Sequence, residues 1–180
     1  RLHQVDLRGA DIRDSDLMGA ILVRANLSGC HLNPCHMYRA DLRQADLSRS
    51  LMNGANLRGA NLREANLSNA DMDRAVLSDA NLTGANLTGA NLSRVNLTGA
   101  NLTNANLTSA NLTAYMTGAN LTGANLSGAH LASAILTDAD GKQYIDGLSG
   151  LWNVVAGHGR SELAQAAARQ MDTLAYCSGY

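Results

Sequence analysis

The sequence predicts an all-β solenoid: a square coil of twenty residues per turn, about seven coils long, with a C-terminal hairpin/loop/α-helix appendage. Three observations predict it. Residues 80–113 read ANLTGANLTGANLSRVNLTGANLTNANLTSANLT, a five-residue unit A-N-L-[ST]-X repeated almost without error. A central Leu, Ile or Met recurs in steps of five from Leu2, Leu7, Ile12 and Leu17 onward to Leu112. A small residue stands two places before nearly every centre, as at Val5, Ala10, Ser15, Ala20, Ala25, Cys30, Cys35 and Ala40. A period of five matches neither the 3.6 of a helix nor the 2 of a strand. It matches a coil with four short sides, each spending five residues and then turning.

The inside of such a coil follows from the unit. The centre and the small residue two before it point inward, and the other three point out. Stacked coils then pair through their backbones at ~4.8 Å, which makes the rod roughly 34 Å long. Each inward Leu lies under the Leu twenty residues later, so Leu42, Leu62, Leu82 and Leu102 are expected to form one ladder. The interior is too narrow for two large residues per side, hence the division between Ala and Leu. The chain has no Phe, so aliphatic side chains fill it.

The unit resembles that of the pentapeptide-repeat family, A-[DN]-L-X-X, over about three quarters of the chain. The resemblance implies a right-handed quadrilateral β-helix. It also brings in the family's functional members, which include DNA mimics that bind type II topoisomerases. Many other members have no known activity.

Composition sets further bounds. A chain of 180 residues holds one domain plus an appendage, here 1-137 and 138-180. Net charge is −1 and aromatics are 3%, which does not describe a conventional globular core. No apolar run reaches the ~18–20 residues of a membrane span. No signal peptide is visible, and the chain opens at Arg1 already in repeat phase, as expected of a fragment or a processed product. Sequons such as Asn81-Leu82-Thr83 recur as by-products of the period. They would burden a eukaryotic secretory protein, so a bacterial cytoplasm is the expected location.

The repeat has two textures. Up to Asp79 charges are frequent, among them Arg8, Arg13, Asp14, Arg24, Arg39, Arg43, Arg58, Arg63, Glu64, Asp73 and Arg74. From Ala80 to Thr137 Arg94 alone is charged, and Asn, Thr, Ser and Gly make the surface. A recently duplicated array reads this way. One unit also breaks the beat: after Leu112 the next centre is Met116, four residues on. The missing corner residue either tightens a turn or pushes Tyr115 outward.

Cys30-His31 and Cys35-His36 invite a metal reading. Zinc needs four convergent ligands. The phase sends Cys30 and Cys35 inward on different sides and His31 and His36 outward, so no metal site is expected. The cysteines read as small buried residues in place of Ala. A disulfide between them is not expected in a reducing cytosol.

The period stops after Leu136. Asp140-Gly141 before Tyr144-Ile145 signals a hairpin. A Gly-rich loop then holds Trp152, and Ser161 is a good N-cap for a helix. Leu163, Ala167, Met171 and Leu174 make its apolar stripe. With Trp152 and Tyr176 nearby, this is the expected interface, either capping the last coil or pairing two chains into a homodimer.

The tail also resembles the N-terminal part of class III (ω-type) aminotransferases that use pyridoxal phosphate. The matching residues are Asp140-Gly141-Lys142, Tyr144-Ile145-Asp146-Gly147, Ser149-Gly150-Leu151-Trp152-Asn153-Val154, Gly157-His158-Gly159-Arg160 and the helix to Gln170-Met171. The resemblance implies a segment near the substrate pocket and the dimer interface. It does not bring catalysis. That fold needs a Schiff-base Lys and a phosphate cup from later segments, and Lys142, the sole Lys, lies in the hairpin. No transamination, no catalytic residue and no cofactor are therefore expected. Gly157-His158-Gly159-Arg160 before a helix reads as scaffold rather than as a phosphate cradle.

Three functions stay open. The leading one is a non-catalytic rigid scaffold that binds a protein partner. The second is a DNA mimic that protects a topoisomerase. That role needs a strongly negative surface, and up to Asp138 the chain carries eleven acidic and eleven basic residues. The third is a fragment of a pentapeptide-repeat/aminotransferase fusion. An ice-binding surface of Thr83, Thr103 and Thr122 is a minor reading. Neither nucleic acid nor membrane is an expected partner.

Overall fold

The computed structural model describes residues 3–131, 135–137 and 143–145. Residues 3–131 wind into a four-sided coil. Its pairing is read from parallel bridges: Asp6 to Asn26, Asn26 to Asp46, Asp46 to Asn66, and onward through Asn86 and Asn106 to Asn125 on one side. The second side runs from Asp11 to His130, the third from Asp16 to Tyr115 and the fourth from Ile21 to Asn120.

The expected β character takes a reduced form. The sides pair through isolated single-residue bridges rather than extended strands. The unit explains this. Two of its five residues make the corner, which leaves three for the side, and only the middle one bonds both ways. Leu7 N–H donates to Asn26 O at 2.8 Å and Asn26 N–H donates to Val5 O at 2.8 Å. A third bond sits at the corner, where Gly9 N–H donates to Ser28 O at 2.9 Å. Nearly every backbone polar group in the middle coils is satisfied this way, as a buried main chain requires.

Most corners are turns closed by their own bond. Ala10 N–H donates to Leu7 O at 2.9 Å, with Gly9 at φ 66°. A left-handed residue at the third place marks a type II turn. Glycine fills many of these places, but Asn69, Asp79, Arg24 and Glu64 fill others at φ 56–60°. Pro34 cannot reach positive φ, and the Asn33-Pro34 bond is cis.

The core is the column of inward centres and small residues from Leu22 to Leu126. Leu42, Leu62, Leu82 and Leu102 are each 0% exposed and lie on consecutive rungs of the fourth side, beside the bridged Asp41, Asn61, Asn81 and Asn101. Ser50 is a buried polar exception, and its hydroxyl donates to Leu47 O at 2.7 Å. At the two ends of the described coil, Val5, Leu7, Ile12, Leu17 and Leu131 are only partly buried.

The slip is confined to one corner. Ala114 still points inward at 2% exposure, and Tyr115 takes the bridge position opposite Asn96. The residue lost is the left-handed one. Tyr115 is 50% exposed, so it does turn outward. The following rungs, Asn101 to Asn120 and Asn106 to Asn125, keep the new spacing of nineteen.

Beyond the coil, strands β1 (Ile135–Thr137) and β2 (Gln143–Ile145) pair antiparallel, with Leu136 opposite Tyr144. This is where the Asp140-Gly141 signal put a hairpin. The expected loop and helix, with Trp152, Leu163, Met171, Leu174 and Tyr176, lie outside the described residues.

Candidate binding surface

The outward positions follow a local rule that starts with the Asn or Asp before most centres. Its side-chain oxygen accepts the N–H two residues on, as in Thr83 N–H to Asn81 Oδ1 at 3.1 Å. This is an Asx turn. It explains why the unit carries Asn or Asp there. The residue after the centre then completes the clasp, in one of two ways.

Where the acceptor is Asn, a hydroxyl donates to the same oxygen: Thr88 Oγ1 to Asn86 Oδ1 at 2.7 Å, Thr108 to Asn106 at 2.6 Å, Ser93 to Asn91 at 2.6 Å. Where it is Asp, an arginine often closes the clasp with two nitrogens. Arg13 reaches Asp11 at 2.8 and 2.6 Å, and Arg43 reaches Asp41 at 2.8 and 2.7 Å. Arg8 holds Asp6 in the same way. Hydrogen bonds from Arg8, Arg13 and Arg43 pull the carboxyls of Asp6, Asp11 and Asp41 below their ordinary range, Asp11 to about 2.

Side chains also tie coil to coil. Asn66 Nδ2 donates to Asp46 Oδ1 at 3.0 Å, and Asn91 Nδ2 donates to Asp71 Oδ1 at 2.8 Å. Arg94 bridges to Asp73 at 2.9 and 2.6 Å. These ties were invisible in composition, yet a signal existed. Asn66 follows Asp46, and Asn91 follows Asp71, by the twenty residues of one coil.

Apolar groups on the outside are few. Met18 is 62% exposed, on the same side as Tyr38 and Tyr115. The Arg39 guanidinium lies over the Tyr38 ring at 5.1 Å. Thr83, Thr103 and Thr122 do stack on one side, as the ice-binding reading requires. However, each hydroxyl donates to the Asn of its own unit, at 2.7, 2.6 and 2.6 Å.

The Cys and His pairs point apart. Cys30 and Cys35 are buried and free, and their thiols donate to Leu7 O and Ser15 O at 2.9 and 3.2 Å. Burial pushes the Cys35 thiol up to about 11. His31 and His36 are exposed. Among the described residues, no group of three or more His, Cys, Asp or Glu is placed to hold a metal ion. Nor is any helix among them long and apolar enough to cross a membrane. Lys142 and Gly157-His158-Gly159-Arg160 lie outside the described residues.

The family model for pentapeptide repeats matches residues 1–33, 40–79, 75–113 and 114–140. The chain is a pentapeptide repeat protein. Among solved structures, it is similar to HetL, a pentapeptide repeat protein involved in heterocyst differentiation regulation in the cyanobacterium Nostoc sp. strain PCC 7120. That likeness has a TM-score of 0.74 at 38% identity, over 78% of this chain and 65% of HetL. QnrB1, a plasmid-mediated fluoroquinolone resistance protein, shares the fold at a TM-score of 0.59 and 20% identity, over 96% of this chain and 88% of QnrB1.

A short segment of this pentapeptide repeat protein has different relatives, and they fit the resemblance of its tail. The β-alanine–pyruvate aminotransferase of Pseudomonas aeruginosa is 51% identical over 45 residues, 25% of this chain and 10% of that enzyme. The ω-amino acid–pyruvate aminotransferase of Pseudomonas putida is 47% identical over 45 residues, also 25% and 10%. The chain therefore spans about a tenth of the length of the aminotransferases it matches.

Proposed function

We propose that the rod is a non-catalytic, rigid module that binds a protein partner through its outward side chains. The observation that carries this reading is the division of labour within each unit. Inward positions are filled with aliphatics, and the middle rungs are closed by their own backbone bonds. The outward positions vary freely on a fixed grid with ~4.8 Å between coils. Such a surface suits recognition without reorganisation. The division into 1-137 and 138-180, with the tail capping the coil or pairing two chains, belongs to the same reading.

The DNA-mimic reading has less support. A phosphate-like row needs uncompensated carboxylates, and Asp6, Asp11 and Asp41 are each clasped by an arginine. A fusion reading rests on one specific observation, the aminotransferase-like segment. In it, the rod is the recognition arm of a longer transaminase and the present chain supplies no turnover.

Photo-crosslinkers placed in turn at Ser68, Asn53, Ser78 and Thr83, one on each side, test the binding role. A binding module gives adducts to one protein from one side or two adjacent sides. Adducts from no side, or equally from all four, sink it.

A further inference from the structure

A cleft of ≈300 Å³ opens near the N-terminal end of the rod, on the fourth side. Its walls carry His3, Arg24, Arg43, Gln44, Arg63 and Glu64 from successive coils. These side chains are linked in series. Arg24 Nε donates to Gln44 Oε1 at 2.7 Å, Gln44 Nε2 donates to Glu64 Oε2 at 2.8 Å, and Arg63 Nε donates to Glu64 Oε1 at 3.0 Å. Arg43 is held separately, by Asp41.

The series fixes the arginines without using them up. Only the Nε of Arg24 and the Nε of Arg63 are engaged, so their Nη groups have no hydrogen-bond partner among the described residues. Three guanidiniums meet two carboxylates, those of Asp41 and Glu64, which leaves one positive charge in excess. Two held forks with free terminal donors are what a carboxylate recognises in pairs.

We propose that this cleft binds an acidic peptide segment of a partner protein, whose carboxylates reach the free Nη groups of Arg24 and Arg63. The proposal rests on the binding-module reading and gives its partner a chemistry. The choice of a peptide over a small free anion follows from exposure. The Arg43 and Arg63 side chains are 51% and 59% exposed. A single ion pair in such a setting adds little. A segment carrying several carboxylates makes its contacts together, and the second and third form at high effective concentration.

The test uses the full chain and a fluorescein-labelled hexapeptide of alternating Asp and Glu, read by anisotropy at about 0.15 M salt. Saturable binding with Kd below ~1 mM is expected. Arg24→Gln with Arg63→Gln should weaken it about tenfold or more. Arg8→Gln, on another side, should leave it within about twofold, and both variants should stay folded and melt close to the unaltered chain, since exposed ion pairs add little. Absence of saturable binding overturns the proposal. So does an equal loss in the Arg8→Gln control, or complete displacement of the peptide by inorganic phosphate at matched charge. If a partner cross-links from another side while Arg24→Gln/Arg63→Gln binds the peptide unchanged, this site falls and the binding-module reading stands.

Discussion

Residues up to Asp79 and residues from Ala80 onward share one backbone and one interior, but their surfaces differ. In both stretches the centres from Leu22 to Leu126 are buried, most corners are left-handed and the rungs bond at 2.7–3.1 Å. Outside, the first stretch clasps Asp6, Asp11 and Asp41 with arginines, and the second clasps Asn residues such as Asn81, Asn86 and Asn101 with hydroxyls. Where an acceptor stands before the centre, the fold accepts either donor after it. Surface charge is a free choice laid over a fixed frame, so the charged stretch is the better place to look for recognition.

The largest test is whether the two interiors are equal. Leu42→Ala and Leu102→Ala should each cost ~2–5 kcal/mol in urea unfolding, because rungs above and below prevent collapse into the gap. Leu7→Ala, at a partly buried end, should cost clearly less. A gap between Leu42→Ala and Leu102→Ala larger than that between either and Leu7→Ala would break the comparison.

Corners come next. Gly19→Ala and Gly89→Ala both force Ala into the left-handed region, at φ 62° and 66°, for about 1–2 kcal/mol. At Gly89 the new Cβ would also meet Asn69 Oδ1 at 2.6 Å, whereas at Gly19 nothing lies within 4 Å. Gly89→Ala should thus lower the melting temperature a little more. The reverse order would mean that the Asn69 side chain does not lie over the corner.

Smaller again are the clasps. Thr83→Val removes a hydroxyl bond and should cost ~0.5–1.5 kcal/mol at any salt concentration. Arg43→Gln should lower stability only slightly at low salt, and less at high salt. Chemical denaturation in urea at two ionic strengths separates them. A salt-dependent Thr83→Val would contradict the neutral clasp.

The smallest effect is acid sensitivity. Asp11 sits at about 2 in the folded chain, below an unfolded value of about 3.9. A depressed carboxyl adds stability above its unfolded value and loses it as pH falls through the folded one. Asp11→Asn should therefore melt slightly lower than the unaltered chain above about pH 4, with the difference fading toward pH 2. Asp6 and Asp41 shift in the same direction. The stretch from Ala80 to Thr137 has no carboxylate to respond.

The period exposed the frame because it counts the same positions over and over. Leu82 and Ala80 were placed inside by spacing alone, and the structure buries both. Spacing also put Cys30 inside and His31 outside. It did not show that a side would pair through one residue, because that depends on how many residues a corner consumes. Nor did it show that Arg24, Gln44 and Glu64 form a chain. They stand twenty residues apart in a corner column, where the repeat imposes no identity. Tyr115 was legible only as an alternative, since a missing corner residue has two geometric outcomes.

The single-residue slip shows that the corner is the array's joint for changes of length. Losing one corner residue leaves every later side facing as before, because Asn101 still meets Asn120 and Asn106 still meets Asn125. Losing a whole five-residue unit is different. It would keep each interior centre stacked but rotate everything downstream by a quarter turn. Thr103 would then no longer follow Thr83 on one side. For a lineage that grows by duplication, gains and losses of twenty preserve a binding face, and gains and losses of five reassign it.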